Sequence, residues 1–355
     1  FLATRFNCNK CHDHPFERWT QDQYYHLGAY FAQVGYERDP ASGKAEIKGT
    51  AVEKTRPLWE FVKDLPVGEM KHDRTQQVAA PAFPYEAKAS AQGSRRAQLA
   101  AWLTSPDNRY FAASYANRLW GYLLGVGLIE PLDDIRAGNP PSNPELLDAL
   151  AQDFISHGFD LRHIIRTIVN SRVYQLSSEP TSANAEDRQN FARFYARRLI
   201  AEVLLDAVDA ATGSKTRFPN TSSRSRAIDL PHEGFGSYFL DAFDRPRRVT
   251  GCECERSSAA TLAQVLLLAN SDEIENKLAD GQGRVARAVA SGASDEAIIE
   301  ELYLATLSRF PSEAERAQAL GYVAGQADAG PAARQEALQD VLWALLNSKE
   351  FLFNH

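Results

Sequence analysis

Between Ser94 and Leu346, outside residues 214 to 250, the sequence reads as successive helices: a residue that can cap, apolar residues three and four apart, then in several cases a glycine or proline stop. Leu99, Trp102 and Leu103 form one apolar stripe, and Ser105-Pro106-Asp107-Asn108 reads as a turn before an aromatic-rich helix over Tyr110 to Leu124. Asn139-Pro140-Pro141-Ser142 breaks the chain, with Asn143 as N-cap and Pro144 in the first helical position. That helix runs to Ser156 and ends near Gly158, Asp160 caps another through Asn170, and a further one is expected over Arg188 to Thr212, stopped by Gly213. Residues 214 to 250 are irregular and rich in Arg, Ser and Pro. Helices are expected again at Ser258 to Leu268, Asp272 to Ala279, Gly283 to Ala290, Ser294 to Leu307, Ser312 to Gly325 and Pro331 to Leu346. With no internal repeat, the pattern predicts a mainly α fold with a multi-helix, bundle-like body.

Residues 1 to 93 read differently. Pro15 pushes His14 out of helical geometry. Thr20 and Gln23 predict a capping box, with Trp19 and Tyr24 as the hydrophobic staple. Tyr24, Leu27, Phe31 and Val34 then share one face of a helix ending near Gly35. Short extended pieces are expected at Lys44 to Lys54, and Pro81, Pro84 and the Ala/Ser/Gln stretch to Gly93 read as a linker. The expected division is therefore a small segment, 1–93, and a helical domain, 94–355.

The 355 residues, 44% hydrophobic and 24% charged, suffice for more than one core, and the net charge of −7 argues against a polyanion partner. Arg95-Arg96, Arg197-Arg198 and Arg245 to Arg248 are short clusters offset by nearby acids, so no nucleic-acid surface is expected. The longest apolar runs, Leu262 to Ala269 and Val341 to Leu346, fall far short of the ~20 residues of a membrane helix. The opening Phe1-Leu2-Ala3 reads as a fragment or processed product, from which a targeting segment could have been removed.

Four cysteines are too few for a disulfide scaffold, but they come as two close pairs, Cys8/Cys11 and Cys252/Cys254. The first belongs to Cys8-x-x-Cys11-His12. Random placement of 4 Cys and 8 His yields such a motif in about one chain of this length per thousand. In c-type haem attachment two thiols form thioethers to the porphyrin, and the following His ligates iron. Cys at i and i+3 lie on one helical face and can meet two substituents on one macrocycle edge. Two other readings stay open: a zinc or iron–sulfur site completed by Cys252 and Cys254, with His12 or His14 as alternates, and a disulfide within or between the pairs. For a sixth haem ligand the candidates are Met70, the sole methionine, and the histidines His14 and His72. Cys252 and Cys254 precede a helix capped by Ser257 or Ser258, which favours thiolate, while Glu253 and Glu255 oppose it. That pair reads either as metal-ligating or redox-active, or as two small buried residues.

Weaker constellations remain. Asp133 and Asp134, with Arg136, Asn139, Asn117 and Arg118, can do acid–base work or serve as caps and ion-pair partners. With His232 the two acids carry a further reading, a hydrolase or oxidoreductase acting on polysaccharide. No Walker loop or Ser/His/Asp order is present, and Gly125-Val126-Gly127 follows a helix, which a dinucleotide fingerprint does not.

Longer motifs carry a family resemblance. Cys8-Asn9-Lys10-Cys11-His12-Asp13-His14-Pro15-Phe16-Glu17-Arg18-Trp19, followed by Tyr24-Tyr25 and Ala29-Tyr30-Phe31-Ala32, resembles the end of one planctomycete cytochrome-associated domain of unknown function. The rest resembles its usual companion through Ala101-Trp102-Leu103-Thr104-Ser105-Pro106-Asp107-Asn108, Asn117-Arg118-Leu119-Trp120, and the stretch Asn139 to Asp148. Further carriers are the stretch Asn170 to Ser177, Cys252-Glu253-Cys254-Glu255-Arg256-Ser257-Ser258, and the tail from Leu345 to His355. These are the PSCyt and PSD-type families. The resemblance implies large periplasmic, cell-envelope or secreted proteins, with a cytochrome-c-like domain upstream and in some cases carbohydrate-binding modules, but no particular reaction. The expectation is a redox-linked protein with haem c on Cys8, Cys11 and His12, partnered by a redox protein or the upstream cytochrome domain, with polysaccharide as a further partner class. The alternatives are a binding protein whose cysteine pairs form a zinc or disulfide cross-link, and an accessory module of a polysaccharide-active enzyme. Whether the chain is itself an enzyme stays open.

Overall fold

The structure, a computed structural model, describes residues 1–47, 54–86, 92–219, 221–230, 234–246, 264, 268, 270–327 and 330–354. It is mainly α, with short antiparallel strand pairs, and divides into two compact units. One comprises Phe1–Lys44 and Trp59–Tyr195, the other Ala45–Leu58 and Ala196–His355.

The first unit opens on a 3-10 turn, Cys8–Lys10, followed by helix α1, Gln21–Gly28. Thr20 and Gln23 form the expected capping box. The helix is shorter than the apolar spacing implies. It tightens into a 3-10 turn at Ala29–Phe31, and Val34 begins strand β1, Val34–Arg38. The tighter turn rotates the face, so Tyr30 enters the core while Phe31 points outward. At Gly35 the Leu65 side chain packs where a Cβ would stand, so a larger residue there would displace it. β1 pairs with β4, Glu60–Asp64, in the register Tyr36↔Val62, and β5, Met70–Lys71, pairs with β6, Val78–Ala79.

The expected linker carries core residues. Phe83 stacks between Tyr30 and Trp102, and Tyr85 leans on Trp102, which is fully buried in α2, Arg95–Leu103. Helices α3, Arg109–Leu124, α4, Pro144–Ser156, and α5, Leu161–Val169, build a second core. Trp120, Leu124, Phe154, Ile164 and Ile168 fill it together with Phe191 and Phe194.

The helix expected from Arg188 begins only at Ala201. Asp187 accounts for the difference: its carboxylate accepts from the backbone N–H groups of Gln189, Asn190 and Ala192 and from the Tyr195 hydroxyl. A side chain that satisfies successive N–H groups this way competes with the helical ladder and holds the segment as a loop. These bonds keep the Asp187 carboxyl well below the usual carboxylate range.

In the second unit β2, Glu46–Ile47, pairs with β3, Arg56–Pro57, and β7, Arg197–Arg198, pairs with β8, Phe353–Asn354, near the end of the chain. Between them lie α6, Ala201–Thr212; α7, Tyr238–Ala242; α8, Asp272–Leu278; α9, Arg284–Ala290; α10, Asp295–Leu307; α11, Glu313–Ala327; α12, Pro331–Leu346; and α13, Lys349–Leu352. Leu204, Leu205 and Val208 of α6 meet Phe239 and Leu240 of α7, Ile299 and Leu302 of α10, and Leu338 and Leu346 of α12 in one core, which also takes in Ile47 and Leu58. Most of the helix expected over Ser258 to Leu268 lies outside the described residues, as do residues 48–53 of the expected extended stretch. No helix among the described residues is long and apolar enough to cross a membrane.

Candidate functional site

Cys8, Cys11 and His12 sit on one surface turn built from below by buried neighbours. Within it Asn9 is fully buried, and its amide donates to the Trp19 carbonyl at 2.7 Å. The Lys10 carbonyl accepts from Gln21 Nε2 at 3.0 Å and from the Tyr25 hydroxyl at 3.1 Å, both on α1. Asp13 Oδ1 accepts from the Gln21 N–H at 2.7 Å, so the residue after the motif also receives the first turn of α1. Trp19 is clamped by Phe6, Tyr85 and Tyr110. The outcome is a fixed scaffold with exposed functional groups: both thiols are free and exposed, and His12 is exposed beside them. The backbone N–H groups of Cys11 and His12 both point to the Cys8 carbonyl, at 3.2 and 3.3 Å, which keeps the three residues on a single turn.

Hydrogen bonds assign the imidazole protons. A carbonyl oxygen only accepts, so His12 Nδ1, 2.7 Å from the Asp13 carbonyl, carries the proton and Nε2 keeps its lone pair. His14 and His72 have the opposite arrangement. His14 Nδ1 accepts from the N–H groups of Phe16 and Glu17, and His72 Nδ1 from those of Arg74 and Thr75, which places the proton of each on Nε2. His72 is moreover buried, tilted against Tyr25 at 4.3 Å, with Nε2 3.2 Å from the Asp22 carboxylate. Of the histidines proposed as ligands, His12 alone offers a free Nε2. His26, which sequence reasoning passed over, shares its tautomer through the Ala80 carbonyl at 2.6 Å.

Met70, Asp133 and Asp134 are engaged elsewhere. The Met70 thioether packs against Gly28, at the end of α1 opposite the turn. Cys252, Cys254 and His232 lie outside the described residues. Asp133 is ion-paired with Arg118, and Asp134 with Arg136 at 3.1 Å. Asn139 donates to the carbonyls of Glu130 and Asp134, and buried Asn117 bonds both the N–H and the carbonyl of Ile129. These groups knit a loop to α3. The sequence reading also missed Asp153, His157 and His163, whose side chains meet where α4 turns into α5; the i, i+4 spacing of the first two was the available signal.

The model of the PSD1 family, described as a protein of unknown function (DUF1553), matches residues 95–323, well over half of the chain. The chain belongs to the PSD1 family. Its first 36 residues, which hold the Cys8–His12 turn, match the model of PSCyt2, also described as a protein of unknown function (DUF1549). The two families are those suspected from the motifs. The PSD1 match begins at the start of α2 and ends inside α11, so the turn with its thiols belongs to the PSCyt2 stretch and the Asp153 cluster to the PSD1 stretch. No curated protein and no solved structure matches.

Proposed function

We propose that the Cys8–His12 turn is an attachment point for haem c and that the chain is part of an exported, redox-linked protein. One observation carries the reading: the Asp13 carbonyl accepts from His12 Nδ1, so in the neutral imidazole the lone pair lies on Nε2, the atom an axial ligand uses, and the residue is exposed. The donor set fits the group, since both thiols are free and exposed on the same turn. Phe16, four residues beyond His12, is 86% exposed and offers apolar surface beside the turn.

Cys8 and Cys11 would hold the porphyrin as thioethers and His12 would ligate its iron. When bound, such a haem supplies one-electron transfer. The chain's own contribution is positional: Asn9, Gln21 and Tyr25 fix the turn, and Asp13 fixes the imidazole. Haem c is attached outside the cytoplasm, so the reading carries export with it, and an upstream cytochrome domain or a separate redox protein is the natural partner.

The test is a pyridine haemochrome spectrum with iron analysis on the full chain, produced with haem-attachment machinery. The expected result is a c-type band with one iron per chain, absent from the C8S/C11S variant. A wild-type chain without haem refutes the reading.

A further inference from the structure

Away from this turn, α4 and α5 are joined by a sharp reversal. Gly158 and Phe159 both adopt left-handed backbone, with φ of +62° and +61°. For phenylalanine that conformation is costly, and packing of its half-buried ring offsets it: Phe159 packs edge-on against Phe154 and against Phe111. Asp160 then caps α5 by accepting from the N–H groups of Arg162 and His163. The reversal lays the first turn of α5 over the last turn of α4.

It brings three metal-ligating side chains together. Asp153 and His157 are one turn apart on α4, and His163 arrives from α5. Each presents a donor atom within 4.8 Å of the other two. His163 Nε2 lies 2.8 Å from Asp153 Oδ2, His157 Nδ1 lies 3.2 Å from Asp153 Oδ1, and the two imidazoles stack at 3.6 Å. In a tetrahedral zinc site, donors held at 2.0–2.1 Å are about 3.3 Å apart. The two donor pairs already stand near that spacing. The group is partly exposed, so an ion can enter from solvent and water can complete the shell.

We infer that Asp153, His157 and His163 form a binding site for a divalent transition metal of the zinc type. Two imidazoles and one carboxylate favour such a borderline ion over magnesium or calcium, which take oxygen donors. The ion takes the place of the proton that His163 Nε2 shares with Asp153, which leaves to solvent, while the proton that His157 Nδ1 gives the Asp153 carbonyl moves to Nε2 of the same ring, freeing Nδ1 as a ligand. Before ligation His157 Nδ1 also donates to the Asp153 backbone carbonyl at 2.9 Å, and the rings lie 16° from parallel, so ligation turns the exposed His157 ring off the stack toward the shared ion. The site stands whether or not the Cys8–His12 turn carries haem.

Cobalt(II) titration of the full chain, stripped with chelator, separates the two sites. An imidazole–carboxylate site gives visible d–d bands without the near-ultraviolet thiolate-to-cobalt charge transfer that any cysteine site produces. The expected result is one equivalent of such cobalt, displaced by zinc, kept in the C8S/C11S variant, and weakened at least about tenfold in H157A and in H163A. Because His157 is exposed, H157A keeps the fold, which circular dichroism verifies. Absence of a cobalt spectrum in the wild-type chain, bands that persist in both histidine variants, or cobalt held only with thiolate charge transfer would each overturn the site.

Discussion

Asn9 stands inside the Cys-x-x-Cys-His motif yet is fully buried, and its amide reaches the carbonyl of Trp19 at 2.7 Å. The same carbonyl accepts from the His14 N–H at 2.8 Å, so one oxygen fastens both sides of the turn. Asn9 Oδ1 has no hydrogen-bond partner among the described residues, so part of its burial cost is uncompensated. Replacing Asn9 by Ala should destabilise the chain by about 1–2 kcal/mol, the worth of a buried hydrogen bond plus lost packing. Urea unfolding followed by tryptophan fluorescence measures it. An unchanged midpoint would mean that Asn9 does not hold the turn.

The exposure of Cys8 and Cys11 sets an expectation for thiol chemistry. In a C252S/C254S chain, two thiols should react with a disulfide reagent under native conditions, without denaturant. Reaction only after addition of denaturant would mean that the turn is covered in the folded chain, against the exposure found among the described residues.

Lys277 is buried in the second unit, where its Nζ donates to Asp209 at 2.6 Å, to Thr216 Oγ1 at 2.8 Å and to the Ser214 carbonyl at 3.3 Å. Asp209 also accepts from the N–H and hydroxyl of Thr216. Replacing Lys277 by Met strands a buried carboxylate and should cost about 3–5 kcal/mol. Adding Asp209→Asn should recover part of that loss, since the amide oxygen still accepts from Thr216. Thermal or denaturant unfolding of the single and double variants reads the coupling.

Arg309 bridges Glu315 at the start of α11 and Glu350 in α13, with N···O distances of 2.7 to 2.8 Å. Its guanidinium, with the Ser312 N–H, holds the Glu315 carboxyl down at about 2, against a usual 4.5. A depressed folded-state value means that the contribution is complete above 4.5 and is lost as pH falls toward 2. Both partners are about a third exposed, so the amount is at most about 1 kcal/mol. Glu315→Gln should therefore lower stability slightly at neutral pH and flatten its decline between pH 4.5 and 2, as urea midpoints across that range would show.

Helices with both a cap and a stop could be read from the chain: Asn143-Pro144, Asp160 and the Thr20–Gln23 box all act as their chemistry requires. The errors came where a side chain or a tertiary contact outbid local pattern. Asp187 ties up backbone donors that helical periodicity would have assigned to a ladder, and Val34 and Gly35 pair with Asp64 and Lys63 of β4 where the apolar spacing continues a helix. The thiols and His12 were visible as a motif, whereas the tautomer that frees Nε2 is a property of the turn alone. The Asp153–His157–His163 group was half visible at best, because its third member arrives through a reversal whose left-handed Phe159 has no signature in the sequence.

The hairpin of β2 and β3 belongs to a unit whose remaining residues begin at Ala196. On the ribosome, Ile47 and Leu58 therefore emerge long before α6, α10 and α12, the helices of the core they join, have been made. A domain that folds as it is synthesised closes from its N-terminal side, and this one cannot. Its first strands must wait with their apolar side chains uncovered while Trp59–Tyr195 of the other unit is translated. A chain stalled anywhere in that interval would display them to whatever holdase stands at the exit tunnel.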